Sequence, residues 1–232
     1  MKKKISKIYK NVKFRWLNPF LVKKKPKIFC IGLNKSGTTS LRRAFIDLGF
    51  IVGDQRIAER LMPQIKNNEF NCLFNYCKSA QVFQDIPFSF FGIYRELHKK
   101  FPDAKFILTI RDSPDQWVNS ITKFHAKKFS EGKIATANEL KNSTYVYKGW
   151  IWEAMKFNFN VSEDDPYNKA HLIEKYNSYN TQVMDYFKDS SNFLKINLSD
   201  KNSYELFTNF LNIDSPYFDF PWENKTENIK LK

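Results

Sequence analysis

Cysteine is scarce in this chain, and the little there is forms no pattern. Cys30, Cys72 and Cys77 have neither the spacing of a metal site nor the even count of a disulfide framework. They read as reduced thiols, and the expected location is cytoplasmic. No run approaches the ~20 apolar residues of a membrane-spanning helix. Residues 16–22 are too short and contain Pro19. The start carries no apolar segment followed by a small-residue cleavage site, so secretion is not expected. Acidic residues are missing before Asp47, and 14 of the 38 basic residues precede it. The remaining 24 basic residues balance 24 acidic ones, so the net charge of +14 belongs to a leader, residues 1–26, and to one loop. A balanced body offers no extended surface for nucleic acid. The leader is expected to be poorly ordered. Being basic and partly aromatic, it is suited to weak contact with an anionic membrane surface. Internal repeats and low-complexity linkers are also absent.

What is present is the pattern of one α/β domain over residues 27–232. Aromatic residues make up 17% of the chain, and most of the 23 Phe must be packing. Lys27–Leu33 and Phe106–Ile110 are short, nearly all-apolar runs, as in strands buried on both faces of a parallel sheet. Gln81–Ile86 and Phe193–Ile196 are further strand candidates. Helices are expected over Ser40–Leu48, Arg56–Lys66 with a break at Pro63, Ser89–Lys100, from Ser113 onward, over Pro166–Lys188 and over Tyr204–Leu211. Gly49 follows the first as a left-handed stop. Ser113-Pro114-Asp115-Gln116 opens another with a cap and an N-terminal proline, and Thr136–Glu139 has capping-box spacing before an aromatic stretch reaching Phe159. Alternating strands and helices imply a mostly parallel central sheet with helices on both faces, a three-layer α/β fold.

The most informative segment is Gly32-Leu33-Asn34-Lys35-Ser36-Gly37-Thr38-Thr39-Ser40. It follows a buried strand and opens a helix, where amide N–H groups and the helix dipole favour an anion. Gly37 permits positive φ and close approach of backbone to phosphate. Thr38, Thr39 and Ser40 add hydroxyls, and Lys35 adds a compact charge. Gly32 and Gly37 have the spacing of a nucleotide-triphosphate loop, but Thr38 stands where that loop needs lysine.

Asn34-Lys35-Ser36-Gly37-Thr38-Thr39-Ser40-Leu41 instead resembles the 5′-phosphosulfate loop of sulfotransferases that use 3′-phosphoadenosine 5′-phosphosulfate (PAPS), with Asn34 in place of a proline. The family's second motif, an apolar strand ending in Arg and followed by a helix with Ser, is matched by Phe106–Ile110, Arg111 and Ser120. One extra residue, Ser113, makes Asn119 a rival to Ser120. The resemblance implies that these groups bind the 3′-phosphate, and the fork of Arg suits that task. It also implies a base near Gln84-Asp85-Ile86-Pro87, which makes Asp85 the candidate. The other reading of Asp85 is a cap on the helix after Pro87. His98, His125 and His171 lie outside the motifs and read as surface residues. The end, Phe220-Pro221-Trp222-Glu223-Asn224-Lys225-Thr226, resembles a bacterial-type sulfotransferase branch.

What this implies is a metal-independent transferase that moves a sulfuryl group from PAPS to a hydroxyl or amine of a small-molecule, carbohydrate or lipid acceptor. Residues 128–168 are its acceptor-side segment, with Lys35 and Asp85 catalytic. Two readings stay open beside it. One is a P-loop nucleotide kinase or hydrolase with Asp112 as metal ligand. The other is a non-enzymatic anion-binding module that uses the leader.

Overall fold

A computed structural model describes residues 17–221. The first element, α1 (Asn18–Val22), belongs to the leader and buries Asn18 and Val22. Residues 1–16 of the leader lie outside the described residues, as do Trp222–Thr226 of the C-terminal motif.

Four strands follow: β1 (Ile28–Cys30), β2 (Val82–Gln84), β3 (Lys105–Ile110) and β4 (Phe193–Asn197). They form one sheet in the order β2-β1-β3-β4, and every pairing is parallel. The chain runs outward from β1 to β2, then crosses back over β1 to reach β3. The switch point therefore lies between β1 and β3, where loops after neighbouring strands diverge and leave a crevice at their carboxyl ends.

The sheet is apolar on both faces because both are covered. Register aligns Phe83, Phe29, Phe106 and Phe193 across the four strands. Phe29 lies 5.4–5.8 Å from the rings of Phe83, Phe88, Phe101 and Phe106. Twelve of the 23 phenylalanines lie in or pack against the core on this side. Ile28, Cys30, Val82, Ile107 and Ile196 point to the other face. There they meet α2 (Thr38–Asp47) and α11 (Ser203–Leu211), whose Phe45 and Phe207 pack edge to face at 5.1 Å. Phe220 closes this side against Tyr204 and Phe207.

The remaining helices are α3 (Gln55–Glu59), α4 (Met62–Lys66), α5 (Asn71–Tyr76), α6 (Ile93–Lys100), α7 (Pro114–Phe129), α8 (Ala137–Asn142), α9 (Trp150–Phe159) and α10 (Lys169–Tyr186). Local signals placed several ends well. Gly49 closes α2 at φ 79°, with Phe50 N–H donating to Phe45 O and Gly49 N–H to Ile46 O. Ser113 caps α7 through Gln116 N–H, and Thr136 and Glu139 form the reciprocal box of α8. Other expectations are corrected. The helix expected from Ser89 starts only at Ile93, because Phe88 and Phe90 are drawn into the core and Gly92 turns at φ 79°. The aromatic stretch to Phe159 is two helices, α8 and α9, separated by a turn ending at Gly149. Helix α5 carried no cap or periodicity that announced it.

Candidate functional site

The loop after β1 is shaped by three tight positions. Any Cβ at Gly32 would collide with Thr109 Oγ1 and would sit 2.6 Å from Thr109 O and 2.8 Å from Ser36 Oγ. Lys35 adopts φ 70°, a left-handed conformation that a non-glycine residue holds only when its surroundings impose it. Gly37 turns at φ 98° with Leu198 directly behind it, so only glycine fits. Helix α2 then begins at Thr38 and presents its amide end to a cavity of about 380 Å³. Lys35, Gly37, Thr38, Thr39, Ser40 and Arg42 all reach the wall of that cavity. The Lys35 ammonium sits 4.0 Å from the centroid of Phe124. Burial pulls its pKa down to about 8; Asp85 opposes the shift and Arg111 adds to it.

Arg111, at the end of β3, comes to the same cavity. Its Nε donates to Lys35 O at 2.8 Å, so the end of β3 is bolted to the backbone of the loop after β1. Tyr176 Oη accepts from Arg111 N–H at 2.8 Å, and Trp117 Nε1 donates to Asn34 O at 2.9 Å while stacking on Tyr176. No carboxylate lies within ion-pairing distance of Arg111 among the described residues. Asp115 pairs with Lys169, and Asp112 accepts from Asn197, Ser199 and Gln116. Those donors hold the Asp112 carboxyl below its ordinary pKa and tie the end of β3 to the end of β4. Along α7, Trp117 and Phe124 both touch the loop after β1 and lie about two turns apart. Ser120, between them at helical spacing, is on that side; Asn119 is about half a turn round and exposed.

Across the cavity lie two carboxylates. Asp85 also holds a left-handed backbone, φ 62°. Its Oδ1 accepts from Ile86 N–H at 2.9 Å and its Oδ2 from Thr38 Oγ1 at 3.2 Å. Burial raises its pKa, against the pull of these two donors and Lys35. It is no helix cap, since α6 starts at Gly92–Ile93. Glu59, at the end of α3, is the second carboxylate. It is 5% exposed, 2.9 Å from Arg56 Nη1, and accepts from Tyr145 Oη at 3.4 Å. Trp150 Nε1 donates to its backbone oxygen at 3.0 Å. Burial lifts its pKa to about 7, with Arg56 opposing and Asp85 reinforcing.

A family model of the sulfotransferase domain matches residues 27–229. The chain belongs to the sulfotransferase family. Its chemistry is therefore sulfuryl transfer, on the α/β architecture expected for that family. No curated protein matches the chain.

Within this sulfotransferase domain several residues sit otherwise than the sequence suggested. The Ser36 hydroxyl is buried, donating to Leu33 O at 2.5 Å and pairing with Thr109 Oγ1 at 2.7 Å, so it braces the loop from behind. His125, read as a surface residue, is 1% exposed and forms part of the cavity wall. It lies on the buried i, i+4 row Trp117–Ile121–His125 of α7. Its Nδ1 is 2.8 Å from Tyr167 Oη, and burial holds its pKa at about 3, so the ring is neutral. His98 is packed against Phe187, and His171 Nε2 lies 2.7 Å from Phe159 O. Residues 128–168 contribute Phe129, Tyr145, Trp150 and Ile151 to the cavity, while Phe159 packs on Trp117. Sequence reasoning missed Glu59 and Arg42. The Arg56–Glu59 spacing was visible, but its burial is made by Tyr145 and Trp150, some ninety residues later.

Proposed function

We propose that this sulfotransferase takes its sulfuryl group from PAPS and passes it in line to a hydroxyl or amine of an acceptor held beside Asp85. The observation that carries the reading is the Arg111–Lys35 contact: two cationic anchors share one cavity at the β1/β3 switch point. One ligand with phosphate groups at both ends suits that pair.

In this reading the amide end of α2, with the hydroxyls of Thr39 and Ser40, holds the 5′-phosphosulfate. Arg111 and Ser120 hold the 3′-phosphate. An acceptor oxygen or nitrogen bonds to sulfur while the bond from sulfur to the 5′-phosphate oxygen breaks, and adenosine 3′,5′-bisphosphate leaves. Lys35 stabilises charge growing on the leaving oxygen, and Asp85 accepts the proton lost by the acceptor. A carboxylate raised by burial is a better base than an ordinary one near ~3.9. Thr38 joins the two, because it opens α2 and donates to Asp85.

The acceptor side combines Tyr145 and Trp150 with the amides of Gln55 and Gln84. Gln84 Oε1 is buried in that wall without a partner among the described residues. It suits an acceptor that offers a further O–H or N–H donor, as a carbohydrate does. No metal is assigned a role. The cysteines are free thiols, and the cytoplasm is the compartment this reading assigns.

Calorimetric titration with adenosine 3′,5′-bisphosphate in chelator tests the donor site. Wild type should bind, and Lys35→Ala and Arg111→Ala should each weaken binding at least tenfold. Metal-dependent ATP binding with no response to the bisphosphate would favour the kinase reading and end this one.

A further inference from the structure

At the opposite end of the sheet lies a cavity of about 550 Å³ that sulfuryl transfer does not use. It opens beside Lys27 and Ala104, the residues before β1 and β3. Five lysines line it, Lys23, Lys25, Lys27, Lys78 and Lys100, against the single acid Asp103; the Lys78 ammonium donates to Asn75 Oδ1 and that of Lys100 lies over the Phe74 ring, which leaves Lys23 and Lys25 as the cations to meet a phosphate. Lys27 is its fixed point: Nζ donates to Ala80 O at 2.6 Å, and burial lowers its pKa. Pro19 and Phe101 give it apolar walls.

Helix α1 forms one edge of this cavity and is apolar on two sides. Asn18 and Val22 face the protein. Leu17, Phe20 and Leu21, within about 100° of each other round the helix, face outward at 50%, 80% and 47% exposure. Phe20 is next round the helix from the Pro19–Lys23 side that lines the cavity. The sequence ahead of Leu17 adds seven basic residues and no acidic one.

We propose that α1 and the lysine cavity dock the protein on an anionic lipid bilayer. Leu17, Phe20 and Leu21 enter between the lipids, and the cavity takes an acidic headgroup phosphate. Charge complementarity favours this occupant: Lys23, Lys24 and Lys25 follow a protruding apolar turn, the combination that holds interfacial helices on acidic leaflets. Three side chains on one turn fall far short of the roughly 20–30 residues a side of a standard protein interface. Insertion into lipid requires no shaped counterpart. The sheet lies between this surface and the Lys35–Arg111 cavity, so a docked molecule holds its mouth away from the bilayer, toward acceptors in water.

Flotation of the full chain with phosphatidylcholine vesicles, with and without phosphatidylglycerol, tests the proposal. Binding should appear only with the acidic lipid and fade in high salt. Neutralising Lys23 or Lys25 should weaken it about fivefold each, and Phe20→Ser should weaken it at least tenfold. Each variant is also titrated with adenosine 3′,5′-bisphosphate; unchanged affinity shows that the fold and the distant site are intact. The proposal is overturned if wild type does not float, floats equally on neutral vesicles, or floats undiminished as Phe20→Ser.

Discussion

In the proposed reaction the chemistry turns on Lys35 and Asp85, and both hold left-handed backbone at the rim of one cavity. Such conformations cost of order 1–3 kcal/mol each and persist only where surroundings enforce them. The enforcement is visible: Arg111 grips Lys35 O, and Asp85 is closed on Ile86 N–H. Asp85→Asn keeps the shape and removes the base, so kcat should fall about 10²–10⁴-fold while bisphosphate affinity stays; a nearly unchanged kcat would shift the role to Glu59. Lys35 sets a second limit. Its pKa of about 8 means the free enzyme loses this positive charge as pH rises through that value. Hence kcat/KM for the donor should drop on the alkaline side near pH 8, and Lys35→Arg should push that limb upward. On the acid side, activity should fall as Asp85 protonates, at a pH above the ordinary carboxylate range. Gly32 tests the loop without touching charge. A methyl there meets Thr109 and Ser36, so Gly32→Ala should cost about 2 kcal/mol or more in urea unfolding.

Helix α7 converts these residues into a site. Its cap, Ser113, follows directly after Arg111-Asp112, so the strand's end and the helix's start are positioned together. Trp117 fixes the loop through Asn34 O, and Phe124 lies under the Lys35 ammonium. Trp117→Phe keeps an aromatic side chain and removes the indole N–H with its hydrogen bond. It should weaken bisphosphate binding several-fold more than Ser113→Ala, which should lower stability by about 1 kcal/mol and leave affinity nearly unchanged. Calorimetry and urea melts on the same samples separate the two effects.

Among the described residues the molecule is one sheet with two cores, and the aromatic rung Phe83–Phe29–Phe106–Phe193 belongs to the larger. Phe29→Ala should cost about 3–5 kcal/mol, because the rings around it cannot close the gap. Binding opposes such losses. Adenosine 3′,5′-bisphosphate at a hundred times its Kd should add about 2.7 kcal/mol to wild-type stability, and this gain should shrink in Arg111→Ala. A melt that ignores the nucleotide would count against the donor reading at the scale of the fold.

Local order was legible in residues 27 to 221 wherever the chain speaks to its near neighbours. The buried strands, the Gly37 turn, the Gly49 stop and the caps at Ser113 and Thr136 are short-range physics, and the sequence alone determined them. The two motifs of the proposed donor site were also legible, because a glycine turn after a strand and an Arg ending a strand each carry their own chemistry. Only the tertiary structure decided that Arg111 reaches Lys35 O and that Ser36 turns inward. It alone buried His125 and Glu59 and left Phe20 in the open. These outcomes depend on which surface a residue is pressed against. That surface is set by segments tens of residues away, as Trp150 is for Glu59, and no local pattern records it.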